Sequence, residues 1–464
     1  MLTATDAARR LGVKPETLYA YVSRGMLTRH RAEDGRRSLF ERAEIERLAA
    51  RSRRGGRAAG LEVIVDTSIT RVDPEGALYY RGQDATTLAW ERSFEEVAEL
   101  LWDGEAAAGS GTAARGDAAP GSGTAARGDA AAGSGTAARG DATAGSGTAA
   151  PGDATAGSGT AARGDAAAGS GTAARGHAAA GGEPFVPWIV SGGAAVAAPG
   201  ATVAPSARLV DRVRVIVALA AAADPLRNDL RPPAVRHTAR SLIAAMVDGL
   251  PRLSEPVDAS IAARVWSRVH DEPPAENRLR ALNAALVLLA DHELAISALS
   301  ARVAASAWAD PYLVVLAGLS ALGGPLHGGA PGAIERLLAS IGTPSDVPAV
   351  LGERLAQGAP LPGFGHAIYR GRDPRADTLI ELLREAAPER LPILEEVLRL
   401  ATRHEGPKPN VDLALAALSD AFGFVPGAAE AIFAVARSAG FVAHALEEYP
   451  YRLRFRARAA YVGL

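Results

Sequence analysis

Six tandem copies of one 12-residue unit, Gly-Ser-Gly-Thr-Ala-Ala-Arg-Gly-Asp-Ala-Ala-Ala with small variations, fill residues 109–180 of this 464-residue chain. A period of 12 matches neither the 3.6-residue repeat of a helix nor the 2-residue repeat of a strand, and the unit has no apolar side chain larger than Ala. Such a segment cannot bury enough surface to offset the entropy of ordering it. Whatever folds must therefore be built from the sequence on either side. We expect residues 104–205, the repeats with their Pro/Gly-rich flank, to be a flexible insertion without chemistry of its own.

Before the insertion, charge divides the chain again. Residues 1–57 carry 14 Arg/Lys against 7 Asp/Glu, whereas the whole chain has a formal net charge of −2. Thr5 is placed to cap a helix through Ala7, Ala8 and Leu11, with Asp6 in its first turn. Gly12-Val13-Lys14 reads as a turn, Pro15 as the first residue of a helix to Ser23, Arg36–Phe40 as an extended wing and Glu41–Arg54 as a third helix. The stretch TATDAARRLGVKPETLYAYVSRGML followed by GRRSLFERAEIERL resembles the winged helix-turn-helix of MerR and excisionase-type DNA-binding proteins. That resemblance implies a reading face of Lys14, Thr17, Tyr21 and Arg24, with Arg36 and Arg37 on the wing near phosphates. A helical docking module used for assembly is the alternative for this domain.

After the insertion the pattern is almost wholly helical. Leu279, Leu282, Leu286, Leu289, Ile296, Leu299 and Val303 recur mostly at spacings of 3, 4 and 7, one apolar stripe on one helix. Further helices are expected at 310–322, 332–341, 375–385, 391–402, 411–422 and 428–447, and the only strand candidates after Gly60 are 61–68 and 76–81. The fold class is therefore mostly α, with domain segments 1–57, 58–103 and 206–464 around the insertion. There is no cysteine, which excludes disulfides, thiolate metal ligands and cysteine nucleophiles. No Rossmann fingerprint, P-loop or metal-ligand cluster is present, so no metal site is expected. The polar N-terminus and a longest apolar run of only Val215–Ala223, against the ~20 residues of a membrane helix, point to a cytoplasmic location without membrane contact.

Three segments interrupt the helices with Gly, His and Asp: Gly324–Ala330, Leu361–His366 and Pro409–Asp412. Each sets an ionisable side chain where loop turns into helix, a position that is held yet open. Asn410 is a good N-cap, which places Asp412 in a first turn whose free N–H groups favour carboxylate. His327 precedes another helix start, whose positive end would keep the imidazole neutral.

GGPLHGGAP, LPGFGHAIYRGRDPRA and PNVDLALAAL resemble the three signature segments of the citrate synthase family, and LADHELAISALSARVAAS resembles its oxaloacetate-binding helix. VDTSITRVDPEGALYYRGQDATTLAWERSFEEVAELLWDGE resembles the start of its fold, so the resemblance covers roughly 60–104 and 206–464. It implies large and small helical domains, a homodimer, no tightly bound cofactor, and a CoA thioester as co-substrate. By the same resemblance Asp412 is the base that deprotonates the acyl carbon beside the thioester, His327 steadies the enolate, and His366 polarises the ketone of oxaloacetate. Hydrolysis then releases CoA and citrate, a tricarboxylic acid cycle step. His292, Arg375 and Arg437 match the oxaloacetate ligands, and Arg456 matches an arginine given to the neighbouring subunit's site. Leu361, Pro362, Gly363, Phe364 and Gly365 match the loop that meets CoA.

Family members usually carry His where Leu289 stands, and Asn and Thr where Ala295 and Ala298 stand. HGGA is here followed by Pro331-Gly332 rather than Asn-Glu. These changes leave a more apolar pocket and keep 2-methylcitrate synthesis from propionyl-CoA as an alternative. A transcriptional regulator that senses CoA esters or oxaloacetate is the other.

Overall fold

In the computed structural model, which describes residues 2–11, 22, 27–31, 38–41, 44–45, 64–103, 186–191, 203–204, 206–403 and 406–456, the chain separates into two units, Met1–Ser68 and Ile69–Leu464.

The first unit contains β1 (Leu2–Thr3), α1 (Ala4–Leu11), β2 (Arg29–Arg31) and β3 (Ser38–Phe40). β3 is the central strand of an antiparallel sheet, pairing Phe40 with both Leu2 and Arg29. The helix starts earlier than expected. Because β1 runs straight into α1, Thr3 and not Thr5 occupies the cap, and the Asp6 N–H donates to Thr3 Oγ1 at 3.2 Å. Ala7, Leu27, Phe40 and Ile45 form a small core, and the Thr28 N–H donates to Glu44 at 2.8 Å. The expected helices 15–23 and 41–54 lie outside the described residues apart from Val22, Glu44 and Ile45, which are helical, and Glu41, which is not. Lys14, Thr17, Tyr21, Arg24, Arg36 and Arg37 lie outside them altogether.

The second unit opens on a hairpin, β4 (Thr70–Asp73) and β5 (Ala77–Tyr80), followed by β6 (Gln83–Asp84). The turn Asp73-Pro74-Glu75-Gly76 fixes its register. The Gly76 N–H returns to Asp73 O at 3.0 Å, with Gly76 at φ +103°, a conformation that suits glycine. The strand expected at 61–68 is not formed: its described part, Ile64 to Ser68, is irregular, because the pairing begins only at Thr70.

Helices follow: α2 (Ala85–Glu91), α3 (Phe94–Trp102), α4 (Leu209–Ala223), α5 (Pro232–Asp248), α6 (Ile261–Val269) and α7 (Glu276–Leu289). Then come α8 (Ile296–Ser306), α9 (Pro311–Leu322), α10 (Ala330–Ala339), α11 (Val347–Ala356) and α12 (Pro374–Ala386). α13 (Leu391–Ala401), α14 (Val411–Phe422) and α15 (Ala428–Glu448) complete the series. α15 is apolar and long enough to cross a membrane by length alone, but 89% of that stretch is buried inside this unit. It packs on α3, α4, α5, α7, α8 and α9, and its many Ala and Gly residues permit that approach.

One expectation fails here. The stripe from Leu279 to Val303 is two helices, α7 and α8, separated at Ala290–Ala295. The Tyr80 hydroxyl lies against the carbonyls of Val287, Leu288 and Asp291, at 3.2, 3.1 and 3.0 Å, which are the acceptors a helix end leaves over. Glu293 then takes the left-handed region at φ +54°, which no continuous helix allows. Beyond the break Ile296 and Val303 are exposed, so the stripe does not continue into the core.

Part of the flank expected to be flexible belongs to the packed body. Trp188 is buried and stacks on Trp102 with ring centroids 5.4 Å apart, while Trp188 O accepts from Arg264 Nη1 at 2.7 Å. The two indoles bring together the chain on either side of 104–185. Replacing that segment by a linker about tenfold shorter removes about 2 kcal/mol of loop-closure entropy. The shortened protein is expected to melt at the same or a higher temperature in circular dichroism. Trp188→Ala is expected to lose about 3–5 kcal/mol. A deletion that lowers the melting temperature would contradict this.

Candidate functional site

Two loops are zipped together to present one side chain each. The Gly365 N–H donates to Lys408 O at 2.7 Å and the Asn410 N–H to Gly363 O at 2.9 Å, around a bridge between Phe364 and Pro409. Gly363 and Gly365 both have positive φ, +85° and +81°, and a Cβ on Gly363 would sit 2.8 Å from Leu413 Cβ. Only glycine allows the loop 361–365 to lie this close to α14.

Asn410 serves both sides. Its Oδ1 accepts from the N–H groups of Asp412 and Leu413, at 3.1 and 3.3 Å, so it caps α14 as expected. Its Nδ2 donates to Gly365 O at 3.0 Å, one residue before His366. The cap therefore fixes His366 and Asp412 relative to one another.

Asp373, which sequence reasoning passed over, is the second clamp. It is 2% exposed. Oδ1 accepts from the N–H and Nε of Arg375, at 3.1 and 2.9 Å, and Oδ2 from Arg375 Nη2 and the Val411 N–H, at 2.8 and 3.0 Å. One carboxylate thus holds the guanidinium of Arg375 and the first turn of the helix that bears Asp412. An Asp before Pro-Arg at a helix start was the visible signal, and it reads as an ordinary cap.

The histidines are packed against these clamps. His366 Nδ1 accepts from the N–H groups of Ile368 and Tyr369, at 3.1 and 3.2 Å, so the proton of the neutral ring is on Nε2. That atom also lies 3.5 Å from the donor Arg375 Nη2, a contact too long to outweigh the two backbone N–H groups that fix the tautomer. The His292 ring stands edge-on to His366 at 5.2 Å, and His292 Nε2 is 3.1 Å from the Tyr369 hydroxyl. His327 Nε2 is 2.7 Å from Ser297 Oγ, and its ring stands edge-on to Phe433 at 6.2 Å. The Arg437 guanidinium lies 4.9 Å over the same Phe433 ring and donates from Nε to Leu289 O at 2.8 Å. Ser297 and Tyr369 were also missed, although both lie inside the segments that carry the family resemblance, because neither residue type stands out there as a catalytic or binding group.

His292, Arg375 and Arg437 are buried to within 6% of complete, whereas His327, His366 and Asp412 are half-buried. The base of the recess is thus cationic and its ionisable groups stand nearer solvent. Burial and then Arg437 push His327 down to about 4. Burial and then Arg375 lower His366, and burial with both guanidiniums takes His292 well below the usual range. All three imidazoles are neutral at pH 7. Asp412 departs from expectation. Its helix start was read as favouring carboxylate, yet loss of water dominates and lifts it to about 6, against the opposing pull of Arg375 and Arg437. For His327 the cause is burial, then Arg437, rather than the helix end.

The structure thus gathers Leu361–Gly365, His292, His327, His366, Arg375, Asp412 and Arg437 around α14, α15 and the α7–α8 break. Arg456 is exposed and makes no hydrogen bond or ion pair with them among the described residues. Arg437, unlike Arg375, has no carboxylate ion-pair partner among the described residues. A buried guanidinium without a carboxylate in direct contact is suited to an anion.

The family model for the citrate synthase C-terminal domain matches residues 60–115 and 196–458, and a helix-turn-helix domain model matches residues 1–53. Citrate synthase 2 of Bacillus subtilis is 32% identical over 220 residues, which are 46% of this chain and 59% of that relative. Citrate synthase of Saccharolobus solfataricus is 36% identical over 225 residues, again 46% and 59%. The chain thus spans 59% of the length of these two curated relatives. The fold resembles that of Thermotoga maritima citrate synthase, with a TM-score of 0.59 and 21% identity over 88% of this chain and 96% of the other. It also resembles citrate synthase of Thermoplasma acidophilum in ternary complex with carboxymethyl coenzyme A and oxaloacetate, with a TM-score of 0.60 and 21% identity over 89% and 96%. The mostly helical body is a citrate synthase fold, the helix-turn-helix match falls within the first unit, and the chain belongs to the citrate synthase family.

Proposed function

We infer that this protein condenses an acyl-CoA with oxaloacetate and hydrolyses the resulting thioester, as a citrate synthase. The observation that carries the reading is Arg437, buried with no carboxylate in direct ion-pair contact among the described residues, beside three neutral imidazoles and a carboxyl group with a pKa near 6. A dianionic keto acid supplies the missing charge. Arg375 and Arg437 hold its carboxylates and His292 orients it. The His366 Nε2–H polarises the ketone and gives its proton to the new alkoxide.

Asp412 takes the proton from the acyl carbon. Its pKa leaves it ionised at pH 7 yet basic enough to act. Neutral His327, held by Ser297, donates to the thioester oxygen as negative charge develops there. The loop 361–365 lies against CoA. Ile296, Val303, Trp308 and Leu313 leave an exposed apolar face on and beside α8 and α9, which supports a homodimer whose second copy lends Arg456. In this reading 1–57 is the DNA-binding head, 58–103 and 206–464 are the synthase body, and 104–205 is the insertion, of which Trp188 packs with the body.

The helix-turn-helix match supports a second reading, a regulator whose synthase-like body senses CoA esters or oxaloacetate. Ala298, buried beside Ser297, favours tests with propionyl-CoA as well as acetyl-CoA. Thiol release from each ester in the presence of oxaloacetate separates these readings, and the absence of cysteine keeps the background low. Turnover that falls about 10²–10⁴-fold in Asp412→Ala and is unchanged in Lys14→Ala is expected. No turnover with any ester, alongside salt-dependent binding to specific DNA, would favour the regulator.

The same carboxyl makes a stability prediction. Its pKa is raised on folding, so its favourable contribution is complete below the unfolded value near 4 and is lost as pH rises through about 6. At pH 7.5 the buried charge is therefore a cost of about 3 kcal/mol by the size of the shift. Asp412→Asn is expected to melt higher than the parent at pH 7.5, and no higher at pH 4. A variant that melts lower at pH 7.5 would show that the burial is not opposed by the charge.

A further inference from the structure

Arg437, Gly440 and His444 follow one another at spacings of three and four along α15 and so share one face. Each meets a successive residue of the chain leaving α7. Arg437 Nε donates to Leu289 O at 2.8 Å and the Gly440 N–H to Ala290 O at 3.0 Å. His444 Nε2 faces Asp291 Oδ1 at 3.4 Å, a contact looser than a hydrogen bond, and both atoms are buried with no hydrogen-bond partner among the described residues. A Cβ on Gly440 would lie 2.3 Å from that same carboxylate oxygen, so the helix face and the segment are in van der Waals contact.

The histidine is itself oriented. His444 Nδ1 lies 3.3 Å from Arg302 Nη1. A guanidinium only donates, which makes Nδ1 the acceptor and puts the ring proton on Nε2, towards Asp291. Arg302 is held in turn by Glu448 at 2.8 Å and Glu447 at 2.9 Å. Asp291, His444 and Glu448 are fully buried and Arg302 is 1% exposed. So many buried polar groups are costly unless they are paired, and this chain of contacts ends on the residue before His292. On the far side of His292, the Glu293 N–H donates to Asp291 Oδ2 at 3.1 Å, with Glu293 held at φ +54°.

We propose that His444 is a positioning residue which, through Asp291, sets the register of 289–293 and so aims His292 at the keto acid. The effect on the keto acid rests on the function inferred above; the effect on the segment does not. His444→Leu removes the donor while keeping an apolar side chain in the site, and His444→Gln restores an N–H near the position of Nε2. In His444→Leu the KM for oxaloacetate is expected to rise about tenfold or more, as follows when a binding group is displaced by a fraction of an ångström. The KM for acyl-CoA is expected to hold, and His444→Gln to recover most of the loss. Hydrogen exchange of peptide 287–294 is expected to quicken in His444→Leu and return in His444→Gln, with the rest of the chain unchanged. Equal loss for both substrates, or a lowered melting temperature with exchange of 287–294 unchanged, would overturn the positioning role. If the wild type fails to turn over, the inferred reaction falls, and the exchange experiment alone decides the fate of this proposal.

Discussion

Two guanidinium groups buried side by side, Arg375 and Arg437, act together with burial on every ionisable group around them. Left to themselves they would repel, and water is not there to screen them. The fold meets this unevenly. Arg375 is neutralised by direct contact with both oxygens of Asp373, whereas Arg437 touches a carbonyl and the face of Phe433 and has no carboxylate in ion-pair contact among the described residues. The remaining positive field adds to burial in keeping the imidazoles neutral, and it opposes burial at Asp412, holding that group near 6 rather than higher. A base that is charged at pH 7 and imidazoles that are not is the division of labour a carbon-acid reaction needs.

Position depends on a few polar side chains that each touch two elements. Asn410 caps α14 and grips the carbonyl before His366. Asp373 binds Arg375 and the N–H of Val411. α15 fixes the segment before His292 from the other side. Each such residue satisfies helix-end or loop groups that would otherwise be buried without partners, so local stability and site geometry come from the same contacts.

Much of this was legible in the residues. α14 spans the expected 411–422, its start marked by Asn410, and the chemistry-bearing loops were marked by Gly, His and Asp against a helical background. The break between α7 and α8 was not legible, because Leu289, Ile296 and Val303 continue the right spacing; a tyrosine some two hundred residues earlier ends the helix. Asp373, Ser297 and Tyr369 were invisible for a related reason. Their roles lie in contacts between distant segments, and as single residues they resemble a cap, a small helix residue and a surface aromatic. The direction at Asp412 was misread because a helix start is evident in sequence, while the depth at which it is buried is not.

The synthase reading rests on residue 412 acting as an ionised base in the free enzyme, which the pH dependence of kcat/KM for acetyl-CoA reports directly. The account predicts a single acid limb with its midpoint near pH 6, flat above it to pH 8, and absent from the residual activity of Asp412→Asn. A profile without a limb between pH 5 and 7, or one that survives in Asp412→Asn, would contradict it.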